Sequence, residues 1–300
     1  MASIFKLMKN IDFNKGITLT ALGSFWWGVI GVIYFEYISF VGHIEVVLHR
    51  CIWTAFFLLI TTSFFSKWKI FLITIRDYKI LITLFFSGFL IFINWAVWIY
   101  AVTKNQIIDA SFGYFIMPIL SVLLGNIFFK EVLNTKRKVS IILVIISIIF
   151  LLLLSIKSIP WVGLIVALSW GFYNLLRKKI NVDTDIGLLI ESLFILPFAL
   201  FFFYLIFQSN LNDFSLTSPS IMLILMLAGP MTVIPLFMYV RGVELCGLGP
   251  TGMIFYITPT FQFILGFFYY NEPFSFEKSL SFILIWIAVI IYLKDLYENN

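Results

Sequence analysis

Long apolar runs, broken only by short charged or Pro/Gly-rich stretches, dominate this chain from residue 16 to residue 293. A helix that crosses a bilayer needs about 20 such residues. The runs fall at 16–36, 44–64, 80–102, 107–128, 139–156, 159–176, 186–207, 220–240, 249–270 and 276–293. They are continuous rather than alternating, which predicts helices and not a β-barrel. Composition removes the soluble alternative. Residues of the AVILMFWYC set make up 62% of the 300 residues, and charged residues 12%, against about 25% charged in a soluble domain. No soluble fold of this size has the interior to hide so much apolar surface. At about 30 residues per crossing with its loop, ten crossings consume the chain. That leaves no room for a soluble catalytic or nucleic-acid-binding module. The expected fold class is an all-α polytopic membrane protein with ten transmembrane helices.

The scarce charges predict the direction of threading. With the N-terminus cytoplasmic, the cytoplasmic segments hold Lys6, Lys9 and Lys15; Lys67, Lys69, Arg76 and Lys79; Lys130, Lys136, Arg137 and Lys138; Arg177, Lys178 and Lys179; Arg241; and Lys294. The external side holds only Lys104, Lys157 and Lys278, and Arg50 lies inside a span. This asymmetry follows the positive-inside rule. It predicts an even number of spans, with both termini cytoplasmic. The net charge of +5 therefore records topology rather than a nucleic-acid partner. No cleaved signal peptide is read in the first 16 residues, so the first span serves as the insertion signal. Cys51 falls in a span and Cys246 in a short loop, without metal or redox spacing, and no disulfide is expected.

The chain also repeats itself. FIMPILSVLLGNIFFKEVL (115–133) parallels YITPTFQFILGFFYYNEPF (256–274). Pro118 matches Pro259, Gly125 matches Gly266, and Glu131 matches Glu272; the same offset carries Arg50 onto Glu191. SFWWG (24–28) resembles LSWG (168–171). Two five-span halves are expected, at 1–157 and 158–300. Five is odd, so the second half is inverted, a transporter design in which a midplane site opens alternately to each side.

These residues resemble the EamA type of the drug/metabolite transporter superfamily. The set HRCIW (49–53), NWAVWIYAV (94–102), ASFGYFIMP (110–118), LIESLFILP (189–197) and YITPTFQF (256–263) is similar to its RarD branch, best known under the label "chloramphenicol-sensitive protein". The resemblance covers nearly the whole chain. It implies secondary transport of a small metabolite or drug-like amphipathic compound across the bacterial inner membrane, as an exporter or exchanger; the alternative is a passive channel or a non-transport integral membrane protein, and no cofactor is expected. One departure is visible: Phe255 stands where such proteins often carry Gln before the Tyr-Ile-x-Pro-Thr run.

Ionisable groups inside a bilayer are functional candidates by default. Arg50 lies about 9 Å into its span at 1.5 Å per residue. It either anchors a carboxylate or phosphate on the substrate or pairs with Glu36 or Glu45 and fixes helices. Glu191 lies equally far in from the opposite face. In a core about 30 Å thick the two differ in depth by about 12 Å, so no direct ion pair is expected. Glu191 is a candidate for a coupling proton, and His49 a weaker one for charge relay. Trp27, Asn94, Trp95, Trp98, Ser111, Tyr114, Trp170, Tyr173 and Tyr256 are candidates to line an apolar pocket with a few polar handles; the competing reading is interhelical packing. Interior prolines free a carbonyl and kink a helix, which makes Pro118, Pro230, Pro235 and Pro259 hinge candidates. The only histidines are His43 and His49, too few for a metal cluster. No G-x-x-x-x-G-K-[ST] phosphate loop is present, which disfavours ATP-driven transport. The expected partners are a small-molecule substrate and the lipid bilayer, with a possible coupling proton, and a monomer is the default state.

Overall fold

A computed structural model describes residues 2–103, 107–131, 133–155, 161–269 and 276–299, and among them every regular element is a helix. Lipid offers backbone groups no hydrogen bonds, so each segment satisfies its own. The elements are α1 (Ala2–Phe25), a π-helical turn (Trp26–Gly31), α2 (Val32–Tyr37), α3 (His43–Phe64), α4 (Trp68–Thr74), α5 (Tyr78–Thr103), α6 (Ile107–Phe129) and α7 (Thr135–Ser155). They continue with α8 (Trp161–Lys179), α9 (Thr184–Gln208), α10 (Pro219–Met226), α11 (Ala228–Cys246), α12 (Leu248–Ile254), α13 (Ile257–Phe268) and α14 (Phe276–Asn299). Helix overlies each of the ten apolar runs. Among the described residues, five stretches are long and apolar enough to cross a membrane: Ile11–Tyr37, His43–Phe64, Tyr78–Ala101, Thr184–Gln208 and Pro219–Cys246.

Helix packing follows small residues. α1 runs along α11, α5 along α8, α6 along α8 and α12, α3 along α9 and α11, and α7 along α14. A Cβ on Gly113 of α6 would collide with the backbone of Gly163 on α8, and one on Gly229 of α11 with the backbone of Trp53 on α3. Close approach of this kind is how helices associate where lipid removes the hydrophobic drive.

The helix interruptions have identifiable causes. Pro259 has no N–H to give the Phe255 carbonyl four residues back. That carbonyl accepts from Thr258 N at 2.9 Å instead, and Phe255-Tyr256 form the turn between α12 and α13. Pro230 acts likewise on Met226, where α10 ends. α11 and α9 run on through Pro235 and Pro197. The side chains of Ser111 and Pro118 lie outside the described residues, as does Glu272. The π turn abuts the start of α13: Thr258 Oγ1 donates to the Ser24 carbonyl at 2.9 Å, and a Cβ on Gly28 would meet the Thr258 backbone. The two irregular stretches thus shield each other's backbone.

One end of the bundle gathers the basic segments. There Lys67 meets Asp185 at 2.7 Å, Lys136 meets Glu298 at 2.5 Å, and Arg137 meets Asp295 at 2.8 Å. Lys178 caps α11 through the carbonyls of Val243 and Glu244, at 2.9 and 3.1 Å. Partial burial pulls the Lys67 ammonium down, but the hydrogen bonds it donates to Asp185 and Asp183, and their charges, outweigh this and hold it above its ordinary pKa. Cys246 closes α11 rather than lying in a loop, and both cysteines are buried and free.

Replacing Gly113 by Leu should lower the apparent Tm of the purified protein by several degrees, since overpacking against backbone costs about 1–3 kcal/mol. Gly42→Ala, which meets no neighbour within 4 Å, is the control for crowding and should lower Tm less, by no more than the loss of a glycine at the N-cap of α3.

Candidate functional site

A cavity lies where the π turn, α3, α5, α6, α8 and the α12–α13 break converge. Its walls are Trp27, Gly31, Phe35, Arg50, Asn94, Trp95, Trp98, Tyr114, Trp170, Phe255 and Gln262. Seven of these were expected from sequence: Trp27, Arg50, Asn94, Trp95, Trp98, Tyr114 and Trp170. The wider π turn helps present Trp27 and Gly31 on one face; such turns recur at functional sites. Its water-accessible space is about 40 Å³, enough for about three waters and too small for a drug-sized molecule.

The cavity is aromatic with a cationic wall. Trp27 packs edge-on to Trp170, with ring centroids 5.0 Å apart. Tyr239 lies 5.4 Å from Trp170 and 5.3 Å from Phe255. These four rings, from the π turn, α8, α11 and the α12–α13 break, plug the cavity toward the basic end. Arg50 is 5% exposed. Its guanidinium carbon sits 4.4 Å from the Trp95 ring centre and 4.9 Å from that of Phe35, and Nε donates to Thr232 Oγ1 at 3.0 Å. Among the described residues no carboxylate pairs with it. Glu45, one expected partner, instead accepts from the backbone of Asp213 and Phe214 at 2.8 and 2.9 Å and meets His49 at 3.5 Å. A desolvated cation is expensive unless paired, and among the described residues two π faces and one hydroxyl receive it. Asn94 spends its donor on the Val166 carbonyl at 2.9 Å and Ser169 Oγ at 3.2 Å, tying α5 to α8. That leaves the amide oxygen for the cavity.

The remaining candidates lie elsewhere. Tyr256 is buried in a separate cluster with Ile285 and Tyr292. Tyr173 stacks on Trp170 but donates its hydroxyl to Glu191 at 3.3 Å. Glu191 also accepts from Ser87 at 2.5 Å and faces Arg177 at 3.6 Å. His49 accepts from Trp53 Nε1 at 3.1 Å through Nδ1. Its proton therefore sits on Nε2, toward Glu45, and its ring lies among Phe203 and Phe214. Arg177 requires a correction. Counted among the loop charges, it is 1% exposed inside α8. A signal was present: Trp170, Tyr173, Asn174 and Arg177 follow helical spacing on one face. Gln262 was also missed, and nothing in a lone amide near a span's centre distinguishes it. Phe255, noted only as a departure from its family, proves to be a wall of the cavity.

A bundle whose regular elements are all helices among the described residues, five stretches of it able to span a bilayer, is that of a multi-pass membrane protein. The chain belongs to the EamA-like transporter family, whose model matches it twice, over residues 14–153 and 157–294. It is 34% identical over 288 residues to the uncharacterized transporter YojE of Bacillus subtilis, covering 95% of both chains. It is 33% identical to protein RarD of Escherichia coli, covering 94% of this chain and 95% of that one. Chloramphenicol-sensitive protein RarD of Pseudomonas aeruginosa is 24% identical over 83% of each. A crystal structure with 11% sequence identity superposes with a TM-score of 0.67, over 95% of this chain and 99% of the other, and shares the fold.

Because Arg50 has no carboxylate partner among the described residues, replacing it by Met should leave apparent Tm equal to wild type or higher. Apolar substitution of buried charge is often neutral or stabilising, by about 1–4 kcal/mol. A clear fall in the Tm of purified Arg50→Met would show that the cation supports the fold instead.

Proposed function

We propose that this protein is a secondary transporter that moves a small amphipathic anion by alternating access, with Arg50 holding the carboxylate and the tryptophan walls holding the apolar body. The observation that carries this reading is the buried Arg50 guanidinium, which lines the cavity without a carboxylate partner among the described residues. A cation so placed is left for a ligand to neutralise. The family supports transport as the activity, and the protein is taken as an exporter or exchanger of the bacterial inner membrane, working as a monomer.

The packing supports alternating access. Adding 141 to 143 residues exchanges the contact of α1 with α11 for that of α8 with α5, and the contact of the π turn with α13 for that of α8 with α6. Yet the paired stretches differ in shape. The π turn and the α12–α13 break interrupt one pair, whereas α6 and α8 run unbroken. Two inverted five-span halves, 1–157 and 158–300, held in unlike conformations would leave the cavity facing one side. The four-ring plug supports a state closed toward the basic end. That end is taken as cytoplasmic, together with both termini and ten crossings, from the placement of Lys and Arg. Pro259 and Pro230, at real interruptions, are the stronger hinge candidates.

Counterflow in proteoliposomes tests the carrier. A panel of matched pairs, each a small aromatic carboxylate and its amide, is first screened by thermal shift. A carboxylate at 100 times its Kd should stabilise the protein by about 2.7 kcal/mol, whereas its amide should not, and Arg50→Met should abolish the difference. The stabilising compound should then exchange faster when present on both sides of the membrane. Equal fluxes with and without internal compound would identify a channel, and stabilisation by amides as well as carboxylates would remove Arg50 from recognition.

A further inference from the structure

The basic end of the bundle holds a second polar centre that the cavity does not use. Arg177 lies between Glu191 Oε1 at 3.6 Å and Glu244 Oε1 at 3.8 Å. Its Nη2 donates to the Thr184 carbonyl at 3.3 Å, but Nε and Nη1 are buried without a hydrogen-bond partner. One turn earlier on α8, both amide atoms of the fully buried Asn174 are also unpartnered. Buried polar groups are normally satisfied, and orphans call for an explanation. Space has nonetheless been cleared for this guanidinium, since a Cβ on Gly187 would overlap it. A cation given room, two carboxylates at similar distance and no close bond to either is poised between partners.

The two carboxylates are not equivalent. Glu244 has a side chain 16% exposed and takes hydrogen bonds from Thr184 Oγ1 and Arg241, each at 2.8 Å. Its ionised form therefore has support besides Arg177. The side chain of Glu191 is 2% exposed, and Arg177 is the one cation that meets it among the described residues. The groups facing Glu191 are Tyr173 and Arg177 from α8 and Ser87 from α5. Thr54 and Leu58 from α3 and Val233 and Leu236 from α11, none of them titratable, line a void beside it. Asp185, on its own helix, acts on Arg177 from farther off and is held by Lys67. The void has about 10 Å³ of water-accessible space, close to what one water needs. Trp95 walls both this void and the cargo cavity, where the same indole carries Arg50.

We infer that Glu191 is a proton-binding site and that Arg177 follows its occupancy by shifting from Glu191 to Glu244. A proton enters from water at the basic end and neutralises the Glu191 carboxylate. Arg177 then loses its attraction there and settles on Glu244, which stays ionised. Loss of the proton draws Arg177 back. The move pulls α8 alternately toward α9 and α11, and Trp95 links the site to the cavity. Coupling to cargo rests on the transporter reading; the proton site itself does not.

Infrared difference spectra between neutral and acidic pH, recorded on the full chain in nanodiscs, follow carboxyl protonation with the proton as the only ligand. Wild type should gain a protonated-carboxyl band that Glu191→Gln removes and Glu244→Gln retains. Arg177→Met should raise the band's midpoint by at least about one pH unit, a tenfold gain in proton affinity. An unchanged band in Glu191→Gln, or its loss in Glu244→Gln instead, overturns the proposal. Should Glu191→Gln fail to fold, Ser87→Ala serves, because it removes a hydrogen bond to the ionised carboxylate. Its midpoint should rise, and an unmoved midpoint also overturns the assignment. Counterflow on the same samples separates the two readings. The Glu191 band without exchange refutes the carrier and keeps the proton site, whereas exchange in both wild type and Glu191→Gln without that band does the reverse.

Discussion

Everything in this structure answers to one constraint: backbone N–H and C=O groups in lipid find partners only within the protein. That constraint makes every regular element among the described residues a helix. It also governs where the chain departs from α-helix. The π turn at Trp26–Gly31 and the break at Phe255-Tyr256 pack on one another, so that neither presents loose backbone to hydrocarbon. The cavity sits beside this junction, because irregular backbone frees positions such as Trp27 and Phe255 to turn inward together. Gly28, with no side chain, lets the two stretches approach.

Charge is handled by a parallel rule. Most basic residues lie at one end, several of them in exposed pairs such as Lys136–Glu298, and such pairs are worth about 1 kcal/mol or less. Arg50 and Arg177 are the two arginines buried to 5% exposure or below, and the bundle treats them differently. Arg177 sits between two carboxylates, neither close. Arg50 receives two aromatic faces and a hydroxyl. Cation–π contacts of a desolvated guanidinium supply about 2 kcal/mol, less than several kcal/mol of burial penalty. The remainder is a cost that an anionic ligand would relieve.

The sequence made the helical segments and most of the cavity legible, for physical reasons that can be stated. Apolar runs of bilayer length leave helix as the only outcome. Trp95 and Trp98, three apart and next to Asn94, mark one face of one helix, and that face lines the cavity. Spacing along a helix reveals such a face but not what lies opposite it. Tyr256 and Phe255 show the limit: adjacent residues, the first expected in the pocket and the second not, exchange roles because Pro259 breaks the helix beneath them. The π turn was equally hidden, since SFWWG carries no proline to announce it. Arg177 was misplaced for another reason. Its neighbours Lys178 and Lys179 made it look like part of a topogenic cluster, whereas its spacing from Trp170 and Tyr173 placed it inside.

Arg50 and Glu191 occupy matching places on α3 and α9, which pack together, but they do not pair. Each instead meets residues contributed by other helices: Phe35, Trp95 and Thr232 for Arg50, and Ser87, Tyr173 and Arg177 for Glu191. Had the two formed a salt bridge, they would have locked α3 to α9 and removed both charges from service. Their separation leaves Arg50 in the cavity without a carboxylate among the described residues and Glu191 beside Arg177 at 3.6 Å. Trp95, touching the Arg50 guanidinium and bordering the void at Glu191, is the one wall the two cavities share. On the proposed reading, with cargo held at Arg50 and a proton at Glu191, this indole would be the partition between them, an apolar wall that keeps the two charges apart.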